Sequence, residues 1–318
     1  MFIKKEKIIE YFKSGIKNTK NFKIGVEHEK FLFNKNNNKR IDYLKIKEMF
    51  SALMEFGWNP VFEKENIVAL NKGGRNITLE PGNQIELSGD KLNNMHEACA
   101  ESQNYLFELK QVTKKLNMNI VSAGFDPISK LKEIPNNPKQ RYKLMTNDMP
   151  LGGELSLDMM YRTCGTQLNI DYSSEEDFIK KFKVANSIVP ISISLFANSS
   201  IVEKKNSNYL SYRSKVWQNT SRGGLPKLFF ENLNFEKYAE FAMDFPILNA
   251  GPAHKQSQPQ VSIDLSSIYF FNLFSVKIVL KCVVRSLSAG NRLLISEILP
   301  SIKSLKIYFF PEKYLSLS

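Results

Sequence analysis

Ile8, Ile9, Phe12 and Ile16 recur at helical spacing and predict a first helix. The segment Lys23-Ile24-Gly25-Val26-Glu27-His28-Glu29-Lys30 alternates instead and predicts a strand. Side chains two apart on a strand share a face, so Glu27 and Glu29 sit side by side. Leu44, Met49, Leu53 and Phe56 predict a helix that ends at Gly57. At about 76–88 the chain predicts a hairpin, with Pro81-Gly82-Asn83 as its turn. Parity then puts Thr78 and Glu80 on one face, and Gln84, Glu86 and Ser88 on another. Leu92, Met95, Cys99, Ser102, Leu106, Leu109, Thr113 and Leu116 mark the clearest helix, with Asp90 as its expected N-cap. Pro127, Pro135, Pro138 and Pro150 predict a long irregular connection over 124–155. A strand is expected over 166–172, with Gln167, Asn169 and Asp171 facing one way and Leu168, Ile170 and Tyr172 the other. Ser174-Glu175-Glu176-Asp177 has the form of a capping box with Asp in place of Glu. It opens a helix through Phe178, Phe182, Ala185, Ile188 and Val189, expected to kink at Pro190. No internal repeat is present.

This order of elements, with strands that alternate polar and apolar, predicts an α+β fold: an antiparallel sheet with helices on one face. The other face would be polar and open to ligands.

Composition narrows the class. A chain of 318 residues with 42% hydrophobic and 24% charged content can bury a sizeable core. The net charge of +12 favours anionic partners, but its lysines are spread along the chain without a long basic block. Attraction of phosphorylated small molecules fits that distribution as well as nucleic acid does. Cys99, Cys164 and Cys282 match no zinc spacing and suit a reducing compartment. His28, His96 and His254 are scattered, and His28 alternates away from the glutamates. The N-terminus lacks a signal-peptide core, and the apolar stretch 268–284 carries Lys277 and Lys281. Each lysine would cost roughly 3 kcal/mol in a bilayer. A cytosolic, non-membrane protein is expected.

Glu27, Glu29, Glu80 and Glu86 are the candidate chemistry. A strand face of this kind is commonly only solvated. Three polar strands carrying Glu, Gln and Asn together suggest a metal–phosphate site, since crowded carboxylates repel unless a hard cation such as Mg²⁺ sits among them. Arg213, Trp217 and Arg222 lie in SYRSKVWQNTSRGG, which reads equally as a basic surface loop or as a clamp for carboxylate or phosphate. Arg141, in QRYKLM after the proline-rich stretch, carries the same two readings. No phosphate-loop motif is present.

The segments IGVEHEKFLF, ITLEPGNQIELSG, GFDP with RYKLM and MP, LDMMYRTCGTQLNIDYSSEEDF, LFANSS and SYRSKVWQNTSRGGLP together resemble the plant and proteobacterial type of glutamate–cysteine ligase, over about residues 6–247. The resemblance implies a glutamine-synthetase-like fold, a curved antiparallel sheet forming a funnel with helices outside. It also implies ligation of the γ-carboxylate of L-glutamate to the amine of L-cysteine, with ATP and Mg²⁺, through a γ-glutamyl phosphate. Glu27, Glu29, Glu80 and Glu86 are then expected as Mg²⁺ ligands, and Arg141 and Arg213 as the catalytic pair that binds the glutamate carboxylates. Thr163, Gln167 and Asn169 would line the substrate and nucleotide region, Trp217 would wall the glutamate pocket, and Arg222 would approach phosphate.

The chain departs from the family in two places. Asp148 stands where an aromatic residue is expected, on the cysteine side of the site. From about Leu248 the likeness ends, and the segment 248–318 is rich in Ser, Leu and Ile. The expectation is a catalytic part over 1–247 followed by a divergent tail, as in a truncated or frameshifted chain. Other readings are a related carboxylate–amine ligase with another amine, a homologue that only binds Mg-nucleotide or glutamate, and a nucleic-acid-binding protein. The last lacks a recognised motif or aromatic–basic interleaving.

Overall fold

The computed structural model describes residues 4–220 and 232–243. Arg222 and the 248–318 segment lie outside the described residues.

Helix α1 (Lys5–Ser14) carries Glu6 in its first turn and Lys13 in its last, both favourable to the helix dipole. The long strand β1 (Ile24–Asn34) follows. Helix α2 (Tyr43–Met54) is capped by Asp42, whose side chain accepts from the Lys45 N–H. Its inward face is Ile46, Met49, Phe50 and Leu53, whereas Leu44 is exposed. Gly57 closes this region with φ of 83°, a conformation glycine adopts freely.

Strands β2 (Asn59–Glu63) and β3 (Asn66–Lys72) form a hairpin that sequence patterning did not predict. β2 is an edge strand with a register shift between Val61 and Phe62. Val61 and Phe62 are both exposed, so no alternation marks the strand. β4 (Arg75–Leu79) and β5 (Ile85–Ser88) are the expected hairpin. Helix α3 (Met95–Lys115) starts later than predicted, because Asn94 and not Asp90 is its cap. The Asn94 side chain accepts from His96 N–H and Glu97 N–H, while Asp90 N–H donates to Glu101. Its buried side runs through Ala98, Glu101, Tyr105, Leu109, Val112 and Thr113, turned from the stripe the sequence suggested.

After β6 (Met118–Val121), the stretch expected to be irregular holds helix α4 (Gln140–Asp148), and α5 (Ser156–Arg162) follows it. Its prolines flank these helices and do not interrupt them; Pro150, for instance, opens a short 3₁₀ turn. Strand β7 (Thr166–Ile170) leads to α6 (Glu175–Ser187), capped by Ser174 as predicted. The expected kink at Pro190 is a break: α6 ends, and α7 (Val189–Phe196) begins with Pro190 in its first turn. A small hairpin, β8 (Ile201–Val202) and β9 (Lys205–Asn206), turns through Glu203 and Lys204, both at positive φ. Helices α8 (Tyr212–Gln218) and α9 (Phe235–Met243) complete the described residues.

The sheet is antiparallel throughout, in the order β2-β3-β4-β5-β1-β6, with β7 also pairing β1. β1 is the spine: its first half lies between β5 and β7, and its second half pairs β6. Leu70, Ile77, Leu79, Ile85 and Leu87 pack one side of the sheet against α2 and α3. This is the α+β arrangement of an antiparallel sheet with helices on one face. Phe178, Phe182, Leu233, Phe235 and Tyr238 form a second core, with Phe12 of α1 against it. No described helix is long and apolar enough to cross a membrane.

Candidate active site

The strand register brings the polar residues of four strands onto the face away from α2 and α3. Glu27 stands opposite Ser88 on one side and Gln167 on the other, and Glu29 stands opposite Glu86. Thr78 is opposite Glu86, so the two arms of the hairpin share this face, where parity within each arm had suggested two different ones. The Thr78 hydroxyl lies 3.5 Å from one Glu86 oxygen, and the Ser88 hydroxyl 3.2 Å from the other. Glu80 joins from the turn. The turn is built by Asn83 N–H donating to Glu80 O and Glu80 N–H donating to Gln84 O, with Asn83 at φ of 60°.

One carboxylate oxygen each from Glu29, Glu80 and Glu86 lie within 4.8 Å of one another. Like charges this close repel. Burial pushes the Glu86 carboxyl well above its usual range, and the carboxylates of Glu80, Glu29 and Glu27 push it further. Three converging hard oxygen donors are the ligand type of Mg²⁺, and a cation there would remove the repulsion. Glu27 lies beside this trio and not within it: Asn169 Nδ2 donates to it at 2.8 Å, and Gln167 Nε2 donates to Asn169 Oδ1 at 3.1 Å. Glu29 is fixed by both backbone groups of Gly165, whose carbonyl accepts from Glu29 N–H and whose N–H donates to the Glu29 side chain. A small recess opens among Glu27, Glu29, Gly165 and Gln167.

His28 takes no part, as alternation predicted. It points to the helical side, where its Nε2 meets Ser102 of α3 at 2.8 Å. Burial, aided by the Lys30 charge, lowers its pKa to about 4. Asp171 also leaves the polar face: it binds Lys17 at 2.7 Å and accepts from Lys23 N–H.

Arg213, in the first turn of α8, is half-buried, and its Nε and Nη2 are buried and unpartnered among the described residues. Its guanidinium stacks over Trp217, 5.3 Å from the ring centroid, and its N–H donates to Ser199 Oγ. Burial weakens its basicity, while the nearby Glu29 carboxylate opposes that effect. A guanidinium with two buried, unpartnered donors has the fork chemistry that matches a carboxylate. Arg141 approaches from the Glu80 side. Its Nη2 donates to Tyr142 Oη at 2.7 Å, and that hydroxyl lies 3.3 Å from Glu80 Oε1. Thr163 is set back: it is buried, and its hydroxyl donates to Met159 O. Asp148 closes α4.

Sequence reasoning missed Tyr142, Gly165 and Lys139. Lys139 donates to Leu79 O at 2.7 Å, and burial lowers its pKa to about 8. Tyr142 and Lys139 flank Arg141, and Gly165 lies two residues before Gln167, so adjacency to singled-out positions was the available signal.

The matching family model, Glutamate-cysteine ligase family 2, covers residues 23–257. The chain is 41% identical over 247 residues to chloroplastic glutamate–cysteine ligase A of Oryza sativa subsp. japonica, covering 76% of this chain and 50% of that protein. It is 42% identical to the chloroplastic glutamate–cysteine ligase of Nicotiana tabacum, with 76% and 47% covered. The chloroplastic glutamate–cysteine ligase of Arabidopsis thaliana gives 41% identity, with 76% and 47% covered. The chain thus spans about half the length of the curated relatives it matches. A family match across most of the described residues, with the acidic strands and the Arg213 segment inside it, means that the chain belongs to glutamate-cysteine ligase family 2.

Proposed function

We propose that the chain joins the γ-carboxylate of L-glutamate to the amine of L-cysteine, with ATP and Mg²⁺, the first step of glutathione synthesis. The observation that carries this reading is the convergence of Glu29, Glu80 and Glu86 beside the unpartnered guanidinium of Arg213. Glu29, Glu80 and Glu86 would hold Mg²⁺, with Glu27 beside them, and the metal would neutralise charge where phosphate and carboxylate meet. Arg213, backed by Trp217, would fix a glutamate carboxylate through its fork of donors, and Arg141 would supply a second cation near Glu80. Gln167 and Asn169 would orient substrate or nucleotide through their amides. Transfer of the ATP γ-phosphoryl group to the γ-carboxylate would give an acyl phosphate, whose phosphate leaves when the amine attacks. The fold expected with this chemistry is the glutamine-synthetase-like funnel, in which the polar side of a curved sheet forms the inner wall.

The test is incubation of the full chain with Mg²⁺, ATP, L-glutamate and a panel of amines that includes L-cysteine. The expected result is γ-glutamylcysteine with matching release of phosphate. Product with another amine alone would make it a related ligase. Binding of Mg-nucleotide and glutamate without any product would make it a binding protein only.

A further inference from the structure

Gln84 shares its strand parity with Glu86 and Ser88, but its side chain leaves the acidic face and is 1% exposed. Its Oε1 accepts from Gly82 N–H at 2.8 Å. Its Nε2 lies 3.1 Å from Tyr161 O, 3.2 Å from Thr163 O and 3.4 Å from Met160 O. One buried amide thus ties the turn between Glu80 and Glu86 to the segment 160–163. Two residues further on is Gly165, which holds Glu29 by both of its backbone groups.

The turn is also held elsewhere. Arg40 Nη2 donates to Gly82 O, Asn83 Nδ2 to Ile41 O, and Asn137 Nδ2 to the carbonyls of Glu80 and Pro81. Those bonds run to other segments, while Gln84 carries the link toward Gly165. The link matters because the carboxylates it brings together repel one another. Without it the turn would relax outward and widen the gap between Glu80 and Glu29.

We propose that Gln84 is a positioning residue of the acidic site, setting the separation of Glu80 and Glu86 from Glu29 by locking the turn to the 160–165 segment. This rests on the reading of that site as a divalent-metal site. Groups that orient metal ligands from behind typically change affinity by roughly ten- to a hundredfold when lost.

The experiment uses the full 318-residue chain, as wild type, Gln84→Met and Gln84→Glu, with Mn²⁺ as the spectroscopic stand-in for Mg²⁺. Free Mn²⁺ is followed by electron paramagnetic resonance, and thermal unfolding is recorded without metal. Gln84→Met keeps the length of the side chain and removes the amide. Gln84→Glu keeps the acceptor for Gly82 N–H and removes the donor, so it serves if the Met variant does not fold. The expected result is cooperative unfolding with Mn²⁺ affinity reduced about tenfold or more. Variants that lose thermal stability yet bind Mn²⁺ as the wild type does would overturn the proposal. A wild type that binds no Mn²⁺ would instead remove the metal-site reading, and the proposal with it.

Discussion

Glu29 and Glu86 face each other across two strands, and Glu80 reaches the same point from a turn. Without a cation this arrangement opposes folding. Glu86→Gln is therefore expected to raise the melting temperature of the metal-free protein, by the equivalent of about 1 kcal/mol. The same change should abolish any stabilisation by Mg²⁺, measured as the melting shift on adding the metal. His28 makes a separate prediction. Its folded pKa of about 4 lies below its unfolded value, so the unfolded chain binds the proton more tightly. The stability it contributes is present above about pH 6.5 and is lost as pH falls toward 4. The loss is on the order of 3 kcal/mol, and His28→Gln should flatten that limb of a stability–pH curve. At this scale, parity put Glu27 and Glu29 on one face and turned His28 from it, as the register shows, while it set Glu80 and Glu86 on different faces that the register unites. It failed at Gln84, because parity gives the direction in which a side chain leaves the backbone, while three carbonyls decide where its amide ends.

Among the elements, helices with one buried face and the glutamate hairpin were readable, and their ends were less so. α3 shows why. Asp90 and Asn94 both have the chemistry of a cap, and only the backbone path selects Asn94. Asn94→Ala should cost about 1 kcal/mol in chemical denaturation. Asp90→Ala should leave the helix cap intact, with Asn94 still accepting from His96 and Glu97. β2 escaped detection because an edge strand with a register shift and two exposed apolar residues does not alternate. α4 and α5 escaped because prolines near helix ends resemble prolines in loops.

For the molecule as a whole, the α+β arrangement followed from the alternating strands, but the second core did not. It joins α1, α6 and α9 from distant parts of the chain. Phe235 lies 5.1 Å from Phe178 and 6.0 Å from both Phe12 and Tyr172, centroid to centroid. Phe235→Ala should cost about 3 kcal/mol. Hydrogen exchange should then rise in α1 and α6 before it rises in β4 and β5, because those strands pack in the other core. β1 links this architecture to the acidic face. Glu27, Glu29, Phe31 and Phe33 share one side of a single strand. Phe31 and Phe33 are sealed beneath Cys164, Val121, Ala123 and Ile128, and Arg40 lies over Phe31 at 4.7 Å. Beyond Glu29 this side of β1 therefore passes from carboxylates to packed rings, so among the described residues the strand has a polar end and a sealed one.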